Sequence, residues 1–479
     1  MKPSKQAPDA VEKKVIPIAG EPRVRRLGRT WQLLILMLCA FQSVRSQDIT
    51  DPIELSLKDA LEMAIRTNQD ARKARLDIEN SAYQIDEVRS RALPQVSGNG
   101  NITYNPILQK SALPGDMLGQ PGKVLLVAFG QKWLSTAGIT LSQNLFDQSI
   151  LTGLKAAKGS REYYELSGEL AEEQVIELVA TAYYNVLVQR QKIRVIDSSI
   201  TNTQKSEAII KGLYANGLGK QIDVDRIAVS LANLESQKQQ LQNAVTMMEN
   251  QLKYFMGVDI RRRFQIPDMA IPEILPDMLE SQARPDISQR TEYQVLKKQE
   301  ELLNYQKQAY KAEYYPSLSL SGNYNYQGIG NTFPVFKGAS GGVNWFDYSS
   351  IGATLRIPIF NGWATRSRIR QADVSIRRLQ EDIEKTSLSL DMAFENAKAQ
   401  MNSSIVILNS QRRNAALAKK TYQNTLNNYN QGLAYLTDLL QAENAEIDAQ
   451  NNYSTALLDY KLAEIQLLKS QGKLKSLLN

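Results

Sequence analysis

Residues 317–326 read Ser-Leu-Ser-Leu-Ser-Gly-Asn-Tyr-Asn-Tyr, and residues 349–358 read Ser-Ser-Ile-Gly-Ala-Thr-Leu-Arg-Ile-Pro. Both alternate with a period of two. One face of the first is Leu318, Leu320, Gly322, Tyr324 and Tyr326; the other is Ser and Asn throughout. In the second, Ile351, Ala353 and Leu355 alternate with Ser350, Gly352 and Thr354. A strand of about ten residues with one apolar and one small-polar face suits a membrane-spanning barrel. It equally suits a half-buried sheet in a soluble domain. Segments 95–104 and 133–143 repeat the pattern more weakly.

Working outward, the chain reads as two copies of one plan. Leu93-Pro94-Gln95-Val96-Ser97 matches Tyr315-Pro316-Ser317-Leu318-Ser319 at an offset of 222. Gly138-Ile139-Thr140-Leu141 matches Gly352-Ala353-Thr354-Leu355 at 214, and Tyr214-Ala215-Asn216-Gly217-Leu218 matches Tyr429-Asn430-Gln431-Gly432-Leu433 at 215. Each half opens on a helical segment (55–92, 290–314) ended by the helix breaker Pro94 or Pro316. Two alternating segments follow, then a very long helix (147–213, 362–428), a Gly-containing turn and a returning helix (222–255, 438–470). Residues 1–46, 47–257, 258–289 and 290–479 are thus a leader, a first repeat, a linker holding Pro267, Pro272 and Pro276, and a second repeat.

Two features favour the barrel. Trp133, Trp345 and Trp363 lie near strand ends, where an aromatic girdle belongs. The adjoining helices would run about 100 Å at ~1.5 Å per residue, far beyond a compact domain. Their apolar positions, Ile227, Leu231, Leu234, Leu241, Val245, Met248, Leu252 and Phe255, alternate threes and fours with Lys238 as the break. In the second copy the stripe runs from Leu439 to Leu467 with Glu446 as the exception. That spacing specifies a left-handed coiled coil. Four strands cannot close a barrel, since single-chain barrels begin at about eight, so three copies sharing twelve strands are expected.

Composition narrows the chemistry. Of 479 residues 43% are hydrophobic and 22% charged, with a mean hydropathy of −0.36. The apolar run 31–41 follows Arg23, Arg25, Arg26 and Arg29 and precedes Val44-Arg45-Ser46, as in a secretory signal peptide. Without residues 1–46 the chain keeps 48 basic and 47 acidic residues, a net charge near +1 that is too small to argue for nucleic acid. The chain has no His, and its single Cys, Cys39, lies in the leader. That excludes His/Cys metal sites and His- or Cys-based catalysis, and no phosphate-binding glycine loop is present. No cofactor and no catalytic site are expected.

Taken together, Leu55-Ser56-Leu57-Lys58-Asp59-Ala60-Leu61 with Asn68, Leu93-Pro94-Gln95-Val96, Ile357-Pro358-Ile359-Phe360-Asn361-Gly362, the two Tyr-x-x-Gly-Leu turns and Gly472 resemble the outer membrane efflux protein family of TolC-like channels. The resemblance spans residues 50–479. It implies an α+β membrane protein: long antiparallel coiled-coil helices form a periplasmic tunnel, and four strands per protomer join a twelve-stranded trimeric β-barrel in outer-membrane lipid. It also implies a homotrimer that docks onto a periplasmic adaptor and, through it, an inner-membrane pump of RND or ABC type. Asn216, Gly217, Leu218, Gln431, Gly432 and Leu433 would then form the adaptor-binding tip, with Asp223 and Asp438 capping the returning helices. Leu318, Leu320, Ile351 and Leu355 would face lipid. The family pattern has Val before the turn Gly, where this chain has Asn216 and Gln431. It also has carboxylates near the tip, whereas 410–428 holds none and carries Arg412, Arg413, Lys419 and Lys420. Lys419 and Lys420 either line the tip or lie on a solvated face. The competing class is a periplasmic coiled-coil adaptor or scaffold, which accounts for the helices but not the two-faced strands.

Overall fold

The computed structural model describes residues 53–114, 119, 121–267, 284–335 and 339–478. The leader, with its expected cleavage site, and Pro272 and Pro276 of the linker lie outside the described residues. From Glu54 onward the elements are α1 (Leu57–Thr67), α2 (Gln69–Ser90), β1 (Gln95–Tyr104), β2 (Lys110–Pro114), β3 (Val124–Ala128), β4 (Trp133–Phe146), α3 (Gln148–Ala215) and α4 (Gln221–Met256). After the linker come α5 (Thr291–Ala312), β5 (Ser317–Gly330), β6 (Val343–Arg356), α6 (Ala364–Asn430) and α7 (Leu436–Ser470).

The helices α3 and α6 hold 68 and 67 residues, about 100 Å each at ~1.5 Å per residue. Nearer the strands, α2, α3, α5 and α6 lie side by side in that order; further away the hairpins α3/α4 and α6/α7 meet through α3 and α7. The expected stripe is the packing seam, with Ile227, Leu234, Val245 and Leu252 of α4 buried. Lys238, the break in the stripe, stays near the surface and pairs with Asp197 of α3 at 2.7 Å. Midway along the helices the largest cluster joins Leu61, Ile176, Tyr183, Val186, Met256 and Ile465.

The single helix expected over 55–92 is two helices, a correction that Asn68 explains. Its backbone leaves the helical region (φ −59°, ψ 137°), and its side-chain oxygen accepts the N–H of Asp70 at 2.8 Å. Its amide donates to the Phe255 carbonyl at 2.7 Å, while the Thr67 hydroxyl donates to the Met256 carbonyl at 2.6 Å. One residue therefore starts α2 and satisfies the end of α4. Arg290, preceding α5, does the same for α7: its guanidinium donates to the Ser470 carbonyl and pairs with Glu292 at 2.8 Å. A cation suits the negative end of that helix.

The strands form one four-stranded antiparallel sheet in the order β1-β4-β5-β6. β4, β5 and β6 each run to 14 residues, longer than the alternating segments alone indicate. A separate β2/β3 hairpin, which the alternation does not announce, is inserted between β1 and β4.

Gly257 has φ +68°, and a Cβ there would lie 2.5 Å from the Thr67 carbonyl oxygen. Gly257→Ala combines left-handed strain with a backbone clash and is expected to cost at least about 2 kcal/mol. The denaturant midpoint checks this; a loss below about 0.5 kcal/mol would show that the α1/α4 junction yields freely.

Candidate functional site

The register of the sheet sorts its side chains. Leu318 stands opposite Leu355, Leu320 opposite Ala353, and Gly322 opposite Ile351. Across the next pair Leu141 faces Gly322 and Ile139 faces Tyr324, and Val96 of β1 completes the row beside Leu141. The apolar side chains of all four strands thus share one face; Ile351 is 86% and Leu355 60% exposed there, whereas Leu318 and Leu320 are half-buried. The opposite face carries Ser319 beside Thr354 and Asn323 beside Ser350. On it Asn325 donates to Asn323 Oδ1 at 3.0 Å, and Asn323 donates to Ser350 Oγ at 2.8 Å. The Asn325 amide fills the space over Gly138, where a Cβ would meet its Oδ1.

Aromatic clusters mark both ends of the apolar face. Away from the long helices, Trp133 packs on Tyr104 with centroids 4.6 Å apart, and Trp345 stacks on Tyr326 at 5.0 Å. Trp345 also covers Gly328, whose missing Cβ makes room for the indole. At the helix end Trp363 contacts Phe360 at 5.8 Å and lies under the Arg366 guanidinium at 5.3 Å. From Trp345 to Leu355 is ten steps, roughly 33 Å along the strand at ~3.3 Å per residue. A tilt of about 40° reduces that to roughly 25 Å, the height of an apolar barrel band.

Pro94 and Pro316 are exposed, and each immediately precedes a strand, β1 and β5. They lie three residues past the C-caps Arg91 and Glu313. Glu313 clamps the junction below β5 and β6, accepting the Thr365 hydroxyl at 2.6 Å and an Arg368 N–H at 2.7 Å.

At the far ends the two turns have the same geometry. Gly217 (φ +74°) donates to the Tyr214 carbonyl at 2.9 Å, and Leu218 donates to the Leu213 carbonyl at 2.8 Å. Gly432 (φ +73°) and Leu433 make the equivalent bonds to Tyr429 and Asn428 at the same distances. Both are Schellman motifs, with Asn216 and Gln431 at the C-caps. The residue after the Gly in such a motif commonly packs back on its helix. Here Leu218 is 78% and Leu433 74% exposed, and Tyr435, two residues past Leu433, is exposed as well.

Asp223 and Asp438 are not the N-cap residues, which are Lys220 and Tyr435. The N-caps lie three residues before the aspartates, placing both carboxylates inside the first turn. Asp438 still reaches back to accept the Tyr435 N–H at 3.1 Å. Asp223 instead stands 3.7 Å from Arg226. Lys419 and Lys420 are exposed on α6, and Lys419 acts on Glu446 of α7, which burial pushes above the usual carboxylate range. Sequence reasoning misses the more buried neighbour Glu443, which accepts the Thr203 hydroxyl of α3 at 2.6 Å. The signal for it is weak, because Glu443 is one charged residue on a helix where the heptad tolerates Glu446 as well.

Among the described residues no three or more His, Cys, Asp or Glu side chains converge as metal ligands, and no helix is long and apolar enough to cross a membrane. The family model described as outer membrane efflux protein matches residues 60–258 and 287–473. The chain belongs to the outer membrane efflux protein family. Outer membrane protein TolC of Vibrio cholerae is 23% identical over 349 residues, 71% of this chain and 77% of that protein. Outer membrane protein TolC of Escherichia coli is 21% identical over 468 residues, 92% of this chain and 86% of that one. The crystal structure of the outer membrane protein VceC from Vibrio cholerae superposes with a TM-score of 0.66 at 16% identity, covering 87% of this chain and 96% of that one. This efflux protein is accordingly an outer membrane protein with the fold of the TolC-like channels.

Proposed function

We propose that this efflux protein is the outer-membrane exit duct of a tripartite efflux or type I secretion system. It works as a homotrimer, with a periplasmic adaptor at its tip and an inner-membrane pump of RND or ABC type supplying the energy. The observation that carries this reading is an open, two-faced sheet set on the ends of helices about 100 Å long. Three such sheets close into twelve strands, with Leu318, Leu320, Ile351 and Leu355 toward lipid and the Ser, Thr and Asn face toward a water-filled lumen. An adaptor or scaffold protein has no use for an exposed apolar sheet face bounded by aromatic clusters at both ends.

The helices support the same assembly. In the row α2–α3–α5–α6, the outermost helices carry exposed apolar stripes at heptad spacing: Leu76 and Tyr83 on α2, and Val374, Leu388, Met392 and Val406 on α6. In a ring of three, α6 of one protomer meets α2 of the next, and these stripes are covered. The halves 47–257 and 290–479, joined through 258–289, then give each protomer two equivalent hairpins. Transport through the duct is passive and needs no cofactor and no catalytic residue. Opening is a repacking of the hairpins near their turns. With Lys419 beside Glu446, the basic residues of α6 read as a solvated face rather than a lining of the tip.

Arg replacing Leu320 or Leu355 is expected to cost roughly 2–4 kcal/mol near the bilayer midplane and to block assembly. Arg replacing Ser319 or Thr354 should assemble and alter conductance. Equal tolerance on both faces, measured as folded protein in the outer membrane, would refute the assignment of faces.

The exposed Leu218 and Leu433 make the tip testable. Leu218→Asp combined with Leu433→Asp should leave the amount of folded trimer unchanged, because neither side chain packs on its own helix. Adaptor co-purification and export should both be lost. Unchanged adaptor binding and export in the double variant would reduce these turns to helix caps.

A further inference from the structure

Near the turns, one buried contact between the two hairpins stands apart from the apolar packing around it. Thr203 of α3 is 1% exposed and Glu443 of α7 is 6% exposed. Thr203 Oγ1 lies 2.6 Å from Glu443 Oε1 and 2.9 Å from the carbonyl oxygen of Ser199 one turn back. A hydroxyl carries one proton, which the two oxygens must share. Each contact becomes a full two-centre hydrogen bond when the carboxyl is itself protonated. Glu443 then donates to Thr203 Oγ1, and Thr203 donates to the Ser199 carbonyl. At the offset of 215 that relates the two turns, the matching positions are Ala228 and Ala418, so only one of the two hairpin contacts carries this pair.

The surroundings oppose a charge at this position. Burial is the largest influence on Glu443 and pushes its carboxyl up; the Thr203 bond pulls it down, and the like charge of Glu446 pushes it up again. Glu446 is itself raised by burial and partly offset by Lys419 of α6. α6 otherwise presents Tyr422, whose phenol burial holds at about 12 and therefore neutral. On α4, Arg226 and Lys238 are engaged with Asp223 and Asp197. On α3, Glu207 is paired with Lys211 at 2.8 Å.

We propose that Glu443 and Thr203 form a proton-dependent latch: the neutral carboxyl holds α7 against α3 near the turns, and loss of its proton lets the hairpins separate. The latch rests on the reading of the turns as the movable end of a duct. A carboxyl whose value is raised in the packed state favours packing fully below the ordinary carboxylate range. That contribution falls as pH rises and is gone above the raised value. Between those limits the packed-to-separated ratio drops about tenfold per pH unit and per protomer.

The test is amide hydrogen exchange of segments 199–210 and 436–447 in the full-length protein, corrected for intrinsic exchange and followed over pH, with planar-bilayer conductance recorded in parallel. In the unaltered protein, protection of both segments should fall and conductance rise as pH increases. Glu443→Gln, whose amide donates to Thr203 but cannot ionise, should keep protection high and lose most of the pH slope, the remainder coming from Glu446. Thr203→Val should lower protection at acidic pH toward the level seen at alkaline pH. A Glu443→Gln protein with the original pH slope, or a Thr203→Val protein with the original profile, overturns the latch. Protection that follows the expected pattern with no conductance in any protein supports the latch and refutes the duct.

Discussion

A four-stranded sheet whose outer strands β1 and β6 have no further partner among the described residues leaves two rows of backbone N–H and C=O groups unpaired. In water such groups are solvated, but in hydrocarbon each costs several kcal/mol. With the sheet placed in the outer membrane, as proposed, that constraint governs everything else. Such a sheet must be closed, and four strands are too few to close on themselves. The proposed trimer follows from backbone hydrogen bonding before any side chain is considered. The side chains then agree with it, since the register gathers Leu318, Leu320, Ile351 and Leu355 on one face and leaves Ser and Asn on the other.

The same constraint shapes the helices. In the proposed trimer a protomer contributes a third of a barrel and a third of a tube, so its helices would leave some apolar surface for their neighbours. The exposed stripes on α2 and α6 fit that expectation. Within the protomer, the two-sided burial of α7, against α6 on one side and α3 on the other, ties the hairpins together. It also buries a carboxyl, Glu443, against the Thr203 hydroxyl, the one polar point proposed as a latch in otherwise apolar packing.

Much of this was legible from the residues alone, because periods of two and of three-to-four state directly which face is buried. The lengths of α3 and α6, the two-faced strands and the Gly-Leu turns are of that kind. What was not legible depends on partners distant in sequence. Asn68 looks like any helix residue until the end of α4 comes beside it and takes its amide. The alternation in β6 weakens beyond Ile351, where Tyr348 and Phe346 fall on the polar face and Asp347 on the apolar one, so the strand outruns its pattern. Asp223 and Asp438 read as caps because a carboxylate near a helix start is a familiar signal. The N-caps nevertheless lie three residues earlier, at Lys220 and Tyr435, and the aspartates act from inside the first turn. The Thr203–Glu443 pair spans 240 residues and has no counterpart in the other half, so no local pattern marks it.

The most direct test of closure by three copies is native mass measurement on the detergent-solubilised protein, with single-channel recording on the same fractions. A particle of three chains that conducts, with no conductance from any single-chain fraction, is the expected result. A folded, conducting monomer would mean that four strands suffice, and would contradict the shared barrel.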